Sequence, residues 1–268
     1  MAVPSEGAWF ADGEAYEHYV GRWSRRVGDM FLDWLSLPSG LHWLDVGCGT
    51  GALIETILNR AGPSRVTGIE PSEGFLRTAR GRINDDRAEF KSGDAMSLPL
   101  KDAEADVSVA GLVLNFIPDQ KRALQELCRV IRPGGTVAMY VWDYSGEMQL
   151  MRYFWNAVTD LFPDGADHDE GKQFPICNPG PLEDLFRATG LQAVEVRALD
   201  TPTVFIDFDD YWSPFLRGQG PAGAYCVGLP EDDRQRLRKQ LENNVPFSSD
   251  GSIHLIARAW AVRGTLPA

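Results

Sequence analysis

The stretch Leu41-His-Trp-Leu-Asp-Val-Gly-Cys-Gly-Thr-Gly51 constrains this chain more than any other. An apolar run ends in an acid and a glycine-spaced turn, and Ala52-Leu-Ile-Glu-Thr-Ile-Leu-Asn behind it has helical periodicity. Strand, tight turn and helix N-terminus together form a cradle for a polar small molecule. Glycines at 47, 49 and 51 remove the side chains that would hold a ligand away from the backbone. The turn alone leaves the ligand open, because Gly47, Gly49 and Ala52 also satisfy the dinucleotide pattern G-x-G-x-x-G/A.

Around this turn, strand and helix signals alternate from residue 41 to about residue 143. Strands are expected at 41–46, 65–70, 87–91, 106–111 and 135–142, with helices near 51–61, 72–82 and 119–130. The connection from Met96 to Asp102 reads as short and irregular, and Arg132-Pro-Gly-Gly135 as a stop and turn feeding the fifth strand. Such alternation predicts a mostly parallel sheet with helices on both faces. Ligands of such sheets bind outside the carboxyl ends of the strands, which is where the glycine turn falls. Beyond residue 143 the pattern loosens into aromatic-rich segments, with a helix over 181–189, a strand over 191–199, a charged helix over 231–242 and a last strand over 253–262. No Pro- or Ser-rich linker interrupts the chain, so residues 1–268 are expected to form a single domain. Its parts would be an N-terminal cap (1–24), a cofactor-binding core (about 25–143) and two insertions (144–180 and 205–246) roofing the pocket as a lid.

Charge and cysteine usage exclude several classes. Lys and Arg total 26 against 38 Asp and Glu, a net charge of −12 that repels nucleic acid phosphates and anionic membranes. The cysteines at 48, 128, 177 and 226 form no C-x-x-C pair, which argues against a zinc site or a disulfide framework; no metal is expected. Cys48 lies within the turn without a base beside it in sequence and reads as a small turn residue rather than a nucleophile. No basic-then-apolar leader and no apolar run of membrane length occur, so a cytoplasmic protein is expected.

The acids narrow the ligand. Asp45 precedes the first glycine, Glu70 ends the second strand, Asp94 follows the third and Asn115 the fourth, all at one edge of the sheet. A carboxylate at Glu70 suits the ribose diol of either a nicotinamide dinucleotide or S-adenosylmethionine. Asp45 would repel a pyrophosphate; it could instead organise the turn or pair with an ammonium group. Asp94 could accept a hydrogen bond from the adenine amine. A cationic sulfonium compound suits this acidic mouth better than an anionic dinucleotide does.

With these motifs in order, the chain resembles the class I S-adenosylmethionine-dependent methyltransferases, in particular the methyltransferase domain 11 family. The resemblance rests on Leu44-Asp-Val-Gly-Cys-Gly-Thr-Gly51, Gly-Ile-Glu70-Pro-Ser, Gly-Asp94-Ala and Leu127-Cys-Arg-Val-Ile-Arg-Pro-Gly-Gly135. It implies a Rossmann-like sheet of seven strands whose last is antiparallel, with 191–199 and 253–262 as strands six and seven. It also implies that Asp45, Gly47, Cys48, Gly49 and Gly51 hold the methionine part of the cofactor and that Glu70 binds the ribose. Pro71 would pack on the adenine, Asp94 would meet its amine beside the Ala95 backbone, and Asn115 would lie near the methionine part or the reacting methyl; a helix cap or turn role is the rival for Asp94 and Asn115. Upstream, Tyr16-Glu-His-Tyr-Val-Gly-Arg-Trp-Ser-Arg25 resembles family segments that fold over the cofactor, so Tyr19 could close the site and Arg22 could pair with the cofactor carboxylate. The rival there is an amphipathic helix packed on the sheet.

The expected activity is methyl transfer to a small-molecule acceptor by in-line displacement, leaving S-adenosylhomocysteine. Should the acceptor need to lose a proton, His168 is the least implausible base, ahead of His18 and His254. Trp142, Tyr153, Trp155, Tyr211, Trp212 and Phe215 suggest an apolar acceptor, against the plainer reading that they pack the insertions. The rivals are a nicotinamide-dependent oxidoreductase, a protein that binds the cofactor without catalysis, and a methyltransferase acting on proteins.

Overall fold

Seven strands in the order β3-β2-β1-β4-β5-β7-β6 form one sheet in the computed structural model, which describes residues 22–268 and, for Arg22, the backbone alone. In chain order the elements begin α1 (Arg22–Leu35), β1 (His42–Val46), α2 (Ala52–Arg60), β2 (Arg65–Glu70), α3 (Glu73–Arg82) and β3 (Ala88–Ser92). They continue with β4 (Ala105–Gly111), α4 (Gln120–Val130), β5 (Ile131–Trp142), α5 (Gln149–Leu161), α6 (Glu170–Gln173) and α7 (Pro179–Ala188). The last are β6 (Gln192–Phe205), α8 (Phe208–Trp212), α9 (Gly220–Gly228), α10 (Glu231–Asn244) and β7 (Ile253–Thr265).

β1 lies between β2 and β4 and pairs with both in parallel, so Asp45 stands opposite Gly68 on one side and Val109 on the other. β2–β3 and β4–β5 are parallel as well. Backbone bonds run from Asp143 N to Arg258 O and from Leu266 N to Gly135 O, so the partner number falls as the strand number rises and β7 is antiparallel to β5. The seven-stranded, mostly parallel sheet with its antiparallel last strand is therefore as expected. β5 begins at Ile131, earlier than the Arg132-Pro-Gly-Gly135 turn suggested. Gly134 holds φ +77° there and donates its N–H to Leu266, so the segment extends the strand.

The chain clusters into two compact units. One comprises Arg25–Val141, Asn178–Leu199 and Ala259–Ala268. Its helices are built by recognisable signals. Ile54 and Ile57 of α2 are fully buried, Ser72 caps α3 by accepting from Phe75 N (3.3 Å), and Asp119 caps α4 by accepting from Arg122 N (2.9 Å). The helix-free connection between β3 and β4 is held from α4. Glu126 accepts from Leu98 N (2.9 Å), and Arg129 donates to the carbonyls of Leu98 (3.1 Å) and Leu100 (2.9 Å). These bonds replace the ladder that an irregular buried segment lacks.

The other unit gathers the described residues up to Ser24, Trp142–Cys177 and Asp200–Arg258. The two stretches expected as insertions, distant in sequence, thus fold together. Their aromatics make its core: Trp155, Tyr211 and Phe215 are fully buried, and Phe154 stacks on Phe215 with centroids 4.5 Å apart. Trp142 and Trp212 are buried too, so the aromatic-rich composition reflects packing at all of these positions; Tyr153 is half-buried. Among the described residues, no helix is long and apolar enough to cross a membrane.

Candidate cofactor site

The candidate site lies within the first of these units, at the carboxyl ends of β1 and β2. Where β1 ends, the chain turns through Gly47, Gly49 and Gly51, with φ of +73°, +53° and +87°. L-residues avoid this region because Cβ would crowd the following carbonyl. The turn is pinned to β2: Gly47 N and Cys48 N both donate to the Ile69 carbonyl (2.8 and 3.0 Å), and Gly49 N donates to Glu70 Oε2 (3.1 Å). The glycines nevertheless do different jobs. A Cβ on Gly47 would strike Val113 at 2.7 Å and one on Gly51 would strike Ile83 at 2.6 Å, whereas one on Gly49 would meet nothing within 4 Å. Gly47 and Gly51 let neighbouring segments close in, and Gly49 alone opens onto space a ligand could fill.

Glu70 links turn and strand. Its Oε1 accepts from Ser72 N (3.0 Å) while Oε2 accepts from Gly49 N, so each oxygen keeps one further lone-pair direction. The side chain is 7% exposed, and burial raises its carboxyl above the ordinary range against the lowering effect of those two N–H groups. Asp45 is more extreme. It is 1% exposed and neither carboxylate oxygen has a hydrogen-bond partner; burial first and then the charge of Glu70 push it up to about 8. Of the two expectations for Asp45, organising the turn is not met, since backbone bonds to Ile69 and Glu70 do that work. A partner for a cationic group remains. Cys48 is buried, and burial followed by the charges of Asp45 and Glu70 drives its thiol far up, which leaves it unreactive. A Cβ on Gly68 would lie 2.9 Å from Cys48 Sγ, so the thiol fills a packing position.

The remaining expected residues divide. Pro71 is exposed and Ala95 half-buried, next to Glu70 and Asp94 in the chain. Asp94 is exposed and its Oδ1 accepts from Met96 N (2.8 Å), a local turn bond that leaves Oδ2 available. Gly93 N donates to the Glu70 carbonyl (3.3 Å), which ties this segment to β2. Asn115 is buried in the short 3-10 turn Leu114–Phe116, whose neighbour Val113 packs on Gly47; its Nδ2 has no partner. His168 belongs to the other unit, where it is exposed with its ring 5.4 Å from that of Tyr225. Tyr19 and His18 lie outside the described residues, as does the side chain of Arg22. His254 is bonded through Nε2 to Ser252 Oγ (2.9 Å), and Ser252 Oγ also donates to Asp250 (2.6 Å), a closed turn network. Sequence reasoning missed the Ile69 carbonyl, the Ser72 N–H and the Val113 and Ile83 walls. Of these only Ser72, two residues after the acid and before a helix, carried a readable signal.

A doubly wound sheet with a glycine turn, an acid ending β2 and a second buried acid in β1 defines an α/β protein that binds a nucleoside cofactor. Its relatives sharpen that class. A family described as a methyltransferase domain matches residues 44–139. A demethylmenaquinone methyltransferase of Lactococcus lactis subsp. lactis (strain IL1403) is 31% identical over 189 residues, 64% of this chain and 70% of the relative. The 27-O-demethylrifamycin SV methyltransferase of Amycolatopsis mediterranei (strain S699) is 35% identical over 137 residues, 50% of this chain and 48% of the relative. The crystal structure of the YcgJ protein from Bacillus subtilis superposes with a TM-score of 0.61 at 16% identity, covering 91% of this chain and 99% of that one, a likeness of fold. Several curated relatives are matched over less than two thirds of their own length, 42% in one case. The chain belongs to the class I S-adenosylmethionine-dependent methyltransferases. The nicotinamide reading of the turn is thereby set aside, and S-adenosylmethionine is the cofactor. The site fits that molecule on three observations: the open space at Gly49, the spare lone pairs of Glu70, and a buried Asp45 carboxyl whose oxygens have no hydrogen-bond partner.

Proposed function

We propose that this protein transfers a methyl group from S-adenosylmethionine to a small-molecule acceptor. The observation that carries the cofactor half is the pair of buried acids, Asp45 before the turn in sequence and Glu70 bonded to Gly49 N, with Gly49 opening onto free space. Glu70 takes the ribose hydroxyls through its spare lone pairs, Asp45 takes the ammonium group, and the Asn115 amide donates to the amino-acid carboxylate. Pro71 and Ala95 flank the adenine, and Asp94 Oδ2 accepts from its amine. Cys48, Gly47 and Gly51 shape the turn without chemistry of their own. Tyr19 and Arg22 are proposed as further cofactor-binding residues.

When bound, the cofactor would supply a methyl group already activated by its sulfonium for displacement by an acceptor's lone pair. What the protein's residues contribute is position. A cofactor held at ribose and ammonium ends has its rotational freedom removed before reaction, and orientation of this kind can supply about 7–11 kcal/mol. The small-molecule reading is supported by the names of relatives that act on a demethylmenaquinone and on a demethylrifamycin. His168 is retained as the candidate base for an acceptor that must lose a proton. The test is a panel of quinols, phenols, aliphatic alcohols and amines assayed for S-adenosylhomocysteine release. Turnover with a small acceptor is the expected result; binding of the cofactor without turnover on any of them, or turnover only on proteins, would overturn it.

A further inference from the structure

We infer that Asp45 carries a proton in the free protein and surrenders it when the cofactor's ammonium group arrives, so that cofactor binding is coupled to proton release. The inference rests on the cofactor reading proposed above. Both oxygens of Asp45 are unpartnered in a side chain that is 1% exposed, and Asp45 forms no ion pair among the described residues. A buried carboxylate without a donor or counter-charge is far costlier than a buried carboxylic acid, so the group neutralises instead.

Among the described residues, Glu70 is the one charged group that bears on Asp45, and it carries the same sign. β2 brings Glu70, whose like charge opposes ionisation. The turn brings Cys48, a thiol kept neutral by burial. Arg80 of α3 bears electrostatically on Cys48, and its guanidinium is bonded to the Phe90 carbonyl (3.1 Å). β4 offers Val109, Ala110 and Gly111, with nothing to titrate, and the 3-10 turn offers the neutral Asn115 amide. Glu55 of α2 is paired with Arg25 and Arg82. Burial and Glu70 together hold the Asp45 carboxyl near pH 8. An ammonium group against it supplies the missing counter-charge and pulls the carboxyl down, and the proton leaves to solvent.

Calorimetry at about pH 6.5 in buffers of differing ionisation enthalpy counts the protons. At that pH the ligand's own amine is already charged. S-adenosylhomocysteine, which has the ammonium but no sulfonium, is expected to release close to one proton, and 5′-methylthioadenosine, which has neither, to bind without release. Affinity for S-adenosylhomocysteine should rise about tenfold per pH unit from pH 6 until it levels near pH 8. Asp45→Asn should abolish both the release and the pH slope. Buffer-independent binding enthalpy in the unsubstituted protein overturns the inference while leaving the cofactor reading intact. So does release with 5′-methylthioadenosine, release with S-adenosylmethionine alone, or release that persists in a folded Asp45→Asn protein and so belongs to Glu70. Failure of all three compounds to bind overturns the cofactor reading itself.

Discussion

Single atoms decide what each glycine of the turn contributes, and the difference can be measured. Gly49 has φ +53° and open space at its Cβ, so Gly49→Val is strained only by its backbone, a cost of about 1–2 kcal/mol. Its side chain, however, would occupy the space assigned to the cofactor. Gly68→Ala is the converse: φ is ordinary, but the new methyl would sit 2.5 Å from Ile54 and 2.9 Å from Cys48 in a packed interior. Overpacking of that kind costs about 1–3 kcal/mol. Thermal melts and cofactor titrations should therefore separate the two, with Gly49→Val losing binding at least 100-fold for a small stability loss. Gly68→Ala should lose stability first and affinity only as the turn shifts. Glu70→Ala removes the acceptor for both Gly49 N and Ser72 N as well as the ribose contact. It is expected to cost about 2–3 kcal/mol of cofactor affinity, a drop near 100-fold by calorimetry.

Polar contacts between elements were the part of the chain least legible in sequence. The run Asp164-Gly-Ala-Asp-His-Asp-Glu-Gly171 is polar almost throughout, yet Asp169 and Glu170 are buried. Their partners lie on α5: Arg152 makes a two-pronged pair with Asp169 (3.0 and 2.7 Å), and Trp155 Nε1 donates to Glu170 (2.6 Å). Hydropathy cannot see a partner a dozen or more residues away, and so it assigns such acids to solvent. By contrast β1, β2 and α2 could be read directly, because a buried apolar run, a glycine turn and an apolar helix face are local signals. Asp45 and Glu70 were legible as a pair because strand ends fix their edge, whereas the empty space beside Gly49 alone is a property of packing. Breaking the Arg152–Asp169 pair with Arg152→Met leaves the Asp169 charge buried and uncompensated, and is expected to lower stability by about 3–5 kcal/mol in denaturant titrations. Glu170 adds a pH dependence with a definite sign. Burial raises its carboxyl from 4.5 to about 7 in the fold, so its stabilising contribution is complete below pH 4.5 and is lost as pH rises to 7. The swing is about 3 kcal/mol by linkage, and Glu170→Gln should gain on the unsubstituted protein by that amount between pH 4.5 and 8, in paired melts.

The net charge of −12 acts on the molecule as a whole, and the ion pairs sharpen its effect. Surface arginines are met by local acids, as in Arg60 with Asp29 and Asp33, Arg129 with Asp102, Arg258 with Asp200 and Arg263 with Glu195. The excess negative charge is consequently left to set the long-range field, which draws cations in and turns polyanions away. S-adenosylmethionine is net cationic and S-adenosylhomocysteine net neutral, although the two are nearly the same shape. The field should thus speed arrival of the cofactor and leave its product unaided. Raising ionic strength from about 0.01 to 0.15 M shortens the screening length from about 30 to 8 Å. The association rate of S-adenosylmethionine should fall several-fold over that range in stopped-flow measurements, while that of S-adenosylhomocysteine stays level. Duplex DNA should show no binding at either salt concentration. Equal salt dependence for the two ligands would mean that local contacts, rather than the field, govern entry; an association rate that rises with salt for the cationic one would place the acidic surface away from its path.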